Sequence, residues 1–246
     1  MSHAQPRSAR QRPRRGGVLG FLRDLVIILL IAILVSWALK TFLIRSFYIP
    51  SASMQQTLQI GDQLIVNQLV PQVMPVDYGD VVVFQDPGGW LLQQPKPDRG
   101  WFADGVEWVL SMVGLAAPDS EDHLVKRVIG LPGDTVMCCS ASGQLEVNGV
   151  PLAEPYTVIP DGQLAAARSE FEVTVPEGSL WVMGDNRFNS QDSLAHLHEP
   201  GGGFVPLDRV VGKALVISMP INRWTVLDNH PATFAGVAEA RDGHGG

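Results

Sequence analysis

The chain has 246 residues and a formal net charge of −7, a length that suits one large domain or two small ones. Its charge is lopsided: residues 1–45 hold eight of the 18 Lys and Arg and a single acid, Asp24, which leaves 10 basic and 24 acidic residues for the remainder. A basic arm on an acidic body excludes a nucleic-acid reader and suits an anionic lipid surface, and two adjacent cysteines, Cys138 and Cys139, exclude a zinc framework or a disulfide scaffold.

In chain order, the first element is the basic arm, residues 1–24. An uncharged run then extends from Leu25 to Leu39. Lys40 can snorkel, which carries the apolar segment to Ile44. Residues 25–44 give roughly 20 positions, enough to cross a bilayer as one helix. The arginines on its N-terminal side place the arm in the cytoplasm and everything after Arg45 outside. The expected location is therefore the plasma membrane, single-pass. A cleavable leader has a shorter apolar core of about 7–15 residues. Ser51 and Ser53 do form a small-x-small pair, but the length of the run favours a retained anchor.

The body, residues 45–230, reads as β. Short segments rich in Val and Ile, bounded by Gly, Pro, Asp or Asn, lie at 63–69, 80–84, 123–130, 134–138, 144–149, 170–175, 180–184 and 209–219. "EFEVTV" alternates cleanly, so one of its faces is wet. No helices alternate with these segments, so the fold class is mostly β: an antiparallel β-sheet domain behind one N-terminal transmembrane helix. Residues 85–122 interrupt the pattern with a Gly- and Pro-rich insertion, in which 106–116 reads as a short apolar helix. Trp90, Trp101 and Trp108 lie there. Tryptophan favours bilayer interfaces, but a satellite core under a long loop also takes it, and both readings stand. Adjacent cysteines bridge only with backbone strain, which favours a pair of thiols at 138–139. The small, Gly-rich tail, residues 231–246, is expected to be disordered. Oligomeric state leaves no trace in the sequence.

The search for chemistry begins with "IPSASMQQTLQIGD", Ile49–Asp62, directly after the anchor. There is no G-x-S-x-G, S-x-x-K or H-E-x-x-H. "HLH" at 196–198 lacks further ligands beyond Glu199 and reads as an exposed loop, so neither metal nor cofactor is expected. A serine nucleophile here has no evident histidine partner. A neutral lysine can replace one, because burial in apolar surroundings lowers a lysine pKa by up to about 3–5 units. Of the body's lysines, Lys96 lies between prolines and Lys213 could take either face. Lys126, in "HLVKRVIGLPGD", shares a strand face with Leu124 and Val128 while Arg127 points away.

"YIPSASMQQTLQIGD", "YGDVVVF", "VKRVIGLPGD" and "VMGDNRFNSQDS" occur in that order behind the anchor. Together they resemble the boxes of bacterial type I signal peptidases, across residues 45–219. The resemblance implies a serine endopeptidase with a Ser/Lys dyad, acting on secretory preproteins after a small-x-small site. It implies Ser53 as nucleophile and Lys126 as general base. Ser51, with the Ser53 backbone N–H, would form the oxyanion hole, and Ser190 would orient the lysine. Ile49, Pro50, Met54, Leu58 and Leu124 would line the pocket next to the cut, and Phe47 and Val125 the pocket two residues earlier. Asp185, Arg187 and Asp192 would support the site, with Arg187 as partner of Asp192. Three positions depart from the family pattern. Gln56 stands for a proline. Phe188 and Leu194 stand for an acid and a base, which removes one ion pair and implies apolar support there. The rival readings are a non-catalytic membrane-tethered β domain and a Ser/Lys protease with few clients.

Overall fold

The structure, a computed structural model, describes residues 18–91 and 122–243. Its chain divides into two units, Met1–Thr41 and Phe42–Gly246. The first contains all but the last residue of helix α1, Val18–Phe42, whose large apolar side chains from Phe21 to Val35 are exposed. Among the described residues no helix is long and apolar enough to cross a membrane. The helix ends at Phe42 and not at 44, because Ile44 already pairs with Asn67 in a sheet. Residues 1–17 of the arm, the segment 106–116, Trp101, Trp108 and Lys96 lie outside the described residues, while the rest of the arm forms the first turns of α1.

The second unit is built from β1 (Ile44–Tyr48), β2 (Gln63–Asn67), β3 (Val81–Gln85), β4 (His123–Gly130), β5 (Thr135–Cys138), β6 (Leu145–Val147), β7 (Val150–Pro151), β8 (Phe171–Thr174), β9 (Ser179–Met183), β10 (Val205–Pro206), β11 (Val210–Met219) and β12 (Thr225–Val226). The larger sheet runs β1-β2-β11-β3-β4-β9-β10, with β12 on β11; the smaller runs β7-β6-β5-β8. All strand pairs are antiparallel, as the missing α/β alternation requires. The eight strands legible in the sequence are all present. β1, β7, β10 and β12 are additions, three of them only two residues long.

β4 is central to the larger sheet, and every position from Lys126 to Gly130 is buried. Where β4 ends, the two sheets share a core: Ile129, Trp181 and Met183 pack with Val136, Leu145, Val147, Phe171 and Val175. Full burial of such side chains stabilises by about 1.5–3 kcal/mol each. Gly130 is fixed here by space. A Cβ on it would lie 2.6 Å from Val136 Cγ2 and 3.3 Å from Trp181 Cβ, closer than packed carbons approach. β8 alternates between buried Phe171 and exposed Glu172 and Thr174, as its sequence predicts.

Three expectations are corrected, and for Trp90 one of two open readings is selected. Residues 231–243 of the tail are ordered: α2, Pro231–Gly243, begins with proline at its first turn, where the missing N–H costs nothing. It buries Phe234 and Val237, three apart on one face, and Phe234 stacks on Tyr78. Cys138 and Cys139 are joined as a disulfide. Trp90 is 7% exposed, edge-on to Phe84 and stacked on His196 at 4.4 Å, so it belongs to a core and not to a lipid-facing surface. His196 is accordingly buried, while His198 is exposed. Phe234→Ala should cost about 3 kcal/mol, and thermal unfolding of the purified chain should show a drop in Tm of about 6 °C or more.

Candidate active site

Ser53 sits in a loop that leaves β1 and returns to β2. The loop is clasped at its base, where Ile49 N–H donates to Asp62 O at 2.9 Å and Gly61 N–H to Ile49 O at 3.0 Å. Asp62, itself held by Arg223, accepts from Gln59 N–H. Phe47, Ile49, Met54 and Leu58 then turn inward with Leu64, Val66, Val81 and Val83, and Val125 packs against them. This floor fixes Ser53 from below. From the side, Asn186 N–H donates to Ser53 O at 3.0 Å. Gly184 lies so close that a Cβ would be 2.5 Å from Ser53 O, and it would also collide with Ser190 Oγ.

Lys126 reaches this loop from β4. Its Nζ lies 2.8 Å from Ser53 Oγ and 3.0 Å from Val125 O. Lys126 is 3% exposed. Burial lowers its pKa from 10.5 to about 8, against opposing pulls from Asp192 and Asp185. At pH 7 about one lysine in ten is then a neutral amine, against well under one in a thousand for a free side chain. A neutral Nζ accepts the Ser53 hydroxyl proton, which makes the serine a nucleophile. Ser51 Oγ is 3.4 Å from Ser53 Oγ, on the exposed side, where a donor can meet charge developing on a bound carbonyl.

The carboxylates that could hold Lys126 as an ammonium are engaged elsewhere. Arg127, turned away from Lys126 by strand alternation, grips Asp185 with two bonds of 2.8 Å, both side chains fully buried. Thr57 Oγ1 donates to the same carboxylate, and the Arg127 guanidinium stacks on Tyr156 at 4.1 Å. Arg187 does not pair with Asp192 as expected. Its Nε donates to Gly184 O, which aims its fork at Glu154, and Nη1 meets Oε2 at 2.8 Å. Glu154 holds the Arg187 proton firmly, overcoming the cost of burial. Asp192 instead accepts from Gly184 N–H at 3.0 Å and lies 3.7 Å from Arg168. Leu194 packs in the core as the apolar reading implied, but Arg168 supplies a cation that no nearby residue in sequence would suggest.

Three expected site residues make contacts that the resemblance does not specify. Ser190 is buried beside Gly184, but among the described residues its Oγ has no hydrogen-bond partner, and the second bond of Lys126 goes to Val125 O. Leu124 packs in a separate cluster with Val82, Phe84 and Val128, because successive residues of β4 face opposite ways. Pro50 is exposed. Thr57, Arg127, Glu154, Tyr156, Arg168 and Asn186 were not foreseen. Only Arg127 had a signal, as the charged residue beside an apolar-facing lysine.

Residues 22–219 match the family described as signal peptidase, peptidase S26. The chain is 40% identical over 225 residues to a signal peptidase I of Mycobacterium tuberculosis, covering 84% of this chain and 75% of that one. It is 39% identical over 227 residues to a probable signal peptidase I of Mycobacterium leprae, covering 82% and 78%. A signal peptidase I crystal structure from Enterococcus faecalis aligns with 56% of this chain and 95% of its own at 25% identity, with a TM-score of 0.35.

The lysine pKa has a consequence for stability. Lys126 titrates near 8 when folded and near 10.4 when unfolded. The unfolded chain therefore binds more protons between those values, and stability rises with pH across that window. Below about pH 8 the full cost of burying the ammonium is present. Lys126→Met should remove that cost and raise Tm at pH 7 by about 3 °C or more. Scanning calorimetry should find the gain shrinking as pH approaches 10.

Proposed function

We propose that this chain, which belongs to the signal peptidase family, peptidase S26, removes signal peptides from secretory preproteins with a Ser53/Lys126 dyad. Family membership carries the enzyme class, a serine endopeptidase. The 2.8 Å approach of a fully desolvated Lys126 Nζ to Ser53 Oγ carries the choice of residues. Lys126 takes the Ser53 proton as Oγ attacks the scissile carbonyl. Ser51 Oγ–H and the Ser53 backbone N–H receive the oxyanion. Lys126 then returns its proton to the leaving amine, and the neutral Lys126 Nζ takes a proton from the water that hydrolyses the ester and passes it back to Ser53 Oγ. The dyad uses no metal or cofactor. The resemblance gives Ser190 the role of orienting Lys126, which its hydroxyl would take up by turning toward Nζ when substrate binds.

The substrate is an extended segment with small side chains at alternate positions before the cut, recognised as peptides are when they add along a strand. The apolar floor of Phe47, Ile49, Met54 and Leu58, with Val125, supports a shallow pocket. The apolar segment expected at 25–44, with its helix ending at Phe42, would anchor the enzyme in the plasma membrane with its N-terminus in the cytoplasm and residues 45–230 outside. At most about 30 Å of chain separates Ile44 from Ser53, which suits a substrate whose own apolar segment is still in the bilayer.

Incubation of the detergent-solubilised enzyme with a secretory preprotein should give one new N-terminus after a small-x-small site, read by mass spectrometry. Ser53→Ala and Lys126→Ala should give none, and Ser51→Ala should lose about 100-fold or more in kcat. An intact preprotein beside a well-folded enzyme would favour the binding-domain reading. The rate should climb with pH through about 8, as Lys126 loses its proton, and a flat profile would count against Lys126 as the base. Protease added to intact spheroplasts should degrade the body while an N-terminal tag survives, and loss of the tag would invert the topology.

A further inference from the structure

We propose that Arg168 is a positioning residue for the dyad: it reaches in from the loop between β7 and β8, fixes the Ser190 main chain and holds the Asp192 carboxylate away from Lys126. The inference rests on the reading of Lys126 as general base. Arg168 lies on the stretch between residues 152 and 170, remote from every box that resembles the family. Its Nη2 donates to Ser190 O at 2.8 Å, and the same nitrogen is 3.7 Å from Asp192 Oδ1. That one contact ties a surface loop to both ends of "SQD", residues 190–192.

The need for such a group follows from the neighbours of Lys126. Two carboxylates act on it, Asp192 and Asp185. Asp185 is neutralised on the spot by Arg127 from β4 and by the Thr57 hydroxyl from the Ser53 loop. The other buried cation, Arg187, is committed to Glu154, which also accepts from Tyr156. Asp192 is 1% exposed and gets one bond on Oδ2, from Gly184 N–H. His196 reaches only its main-chain carbonyl. Oδ1 has no hydrogen-bond partner among the described residues, and Arg168 is the cation paired with it. Without that guanidinium, a buried anion beside Lys126 would draw a proton onto the amine and leave fewer enzyme molecules with a working base. Because the Arg168 side chain is 30% exposed, a substitution there need not open the core.

The test measures kcat/KM for preprotein cleavage by the full chain in detergent, from about pH 6 to about pH 10. It compares the wild type with Arg168→Gln, Arg168→Lys and Asp192→Asn. Arg168→Gln should move the rising limb to higher pH, losing about three- to tenfold at pH 7, with the deficit closing above about pH 9.5. Arg168→Lys keeps the charge and should hold the wild-type limb. Asp192→Asn removes the anion and should move the limb down. A pH-independent loss in Arg168→Gln would make Arg168 merely structural and overturn the proposal. If Arg168→Gln does not fold, Asp192→Asn decides, and an unmoved limb there overturns it. Cleavage that persists in Lys126→Ala would remove the dyad reading itself, a result distinct from an unmoved limb in a lysine-dependent enzyme.

Discussion

Lys126 holds an amine under apolar cover, and the charges around it are arranged to leave it without a counter-ion. Two carboxylates, Asp185 and Asp192, lie within electrostatic reach, and either could hold the lysine as an inert ammonium. Asp185 is gripped by Arg127 and Asp192 is tethered to Gly184 N–H. Buried ion pairs are weak contributors to stability, since apolar replacements of similar volume are often as good. The Arg127–Asp185 and Arg187–Glu154 pairs therefore have a better rationale in electrostatics than in fold stability. They keep fixed charges matched so that the one titratable cation beside Ser53 stays free to exchange its proton.

The same logic explains why so few groups touch Ser53 itself. Its floor is hydrocarbon from Met54, Leu58 and Ile49, and its main chain is held by Asn186. Apolar packing fixes position without adding charge, and apart from Lys126 and Ser51 at the hydroxyl the polar hold on Ser53 is on its backbone. Gly184 lets β9 close against the loop, so a rigid sheet supports the turn.

Much of this was legible in the sequence because β patterning is local. Alternation and turn residues marked eight strands, and the same alternation separated Lys126 from Arg127. The resemblance of four ordered boxes supplied the roles. What was not legible depends on distance along the chain. Glu154 meets Arg187 across 33 positions, and Arg168 meets Ser190 across 22, with no periodicity to announce either. The departures at Phe188 and Leu194 suggested a site short of a cation, and only tertiary packing shows where one comes from. The tail's glycines outweighed better evidence: a proline start, four alanines with high helix propensity, and Phe234 and Val237 at helical spacing.

Lys126 and Arg127 are neighbours with opposite tasks, so a slip of one residue along β4 would exchange them. The guanidinium, which no ordinary pH deprotonates, would stand at Ser53, and the lysine would fall to Asp185. Formal charge would still balance and a sheet would still form, so nothing in electrostatics alone rejects that arrangement. What rejects it is shape. Gly130 occupies a gap between Val136 and Trp181 with no room for a Cβ, and a slip would push Ile129 or Leu131 into it. A glycine far from the reacting atoms thus acts as a proofreading device for strand register, and through register it determines which of two cations faces the serine.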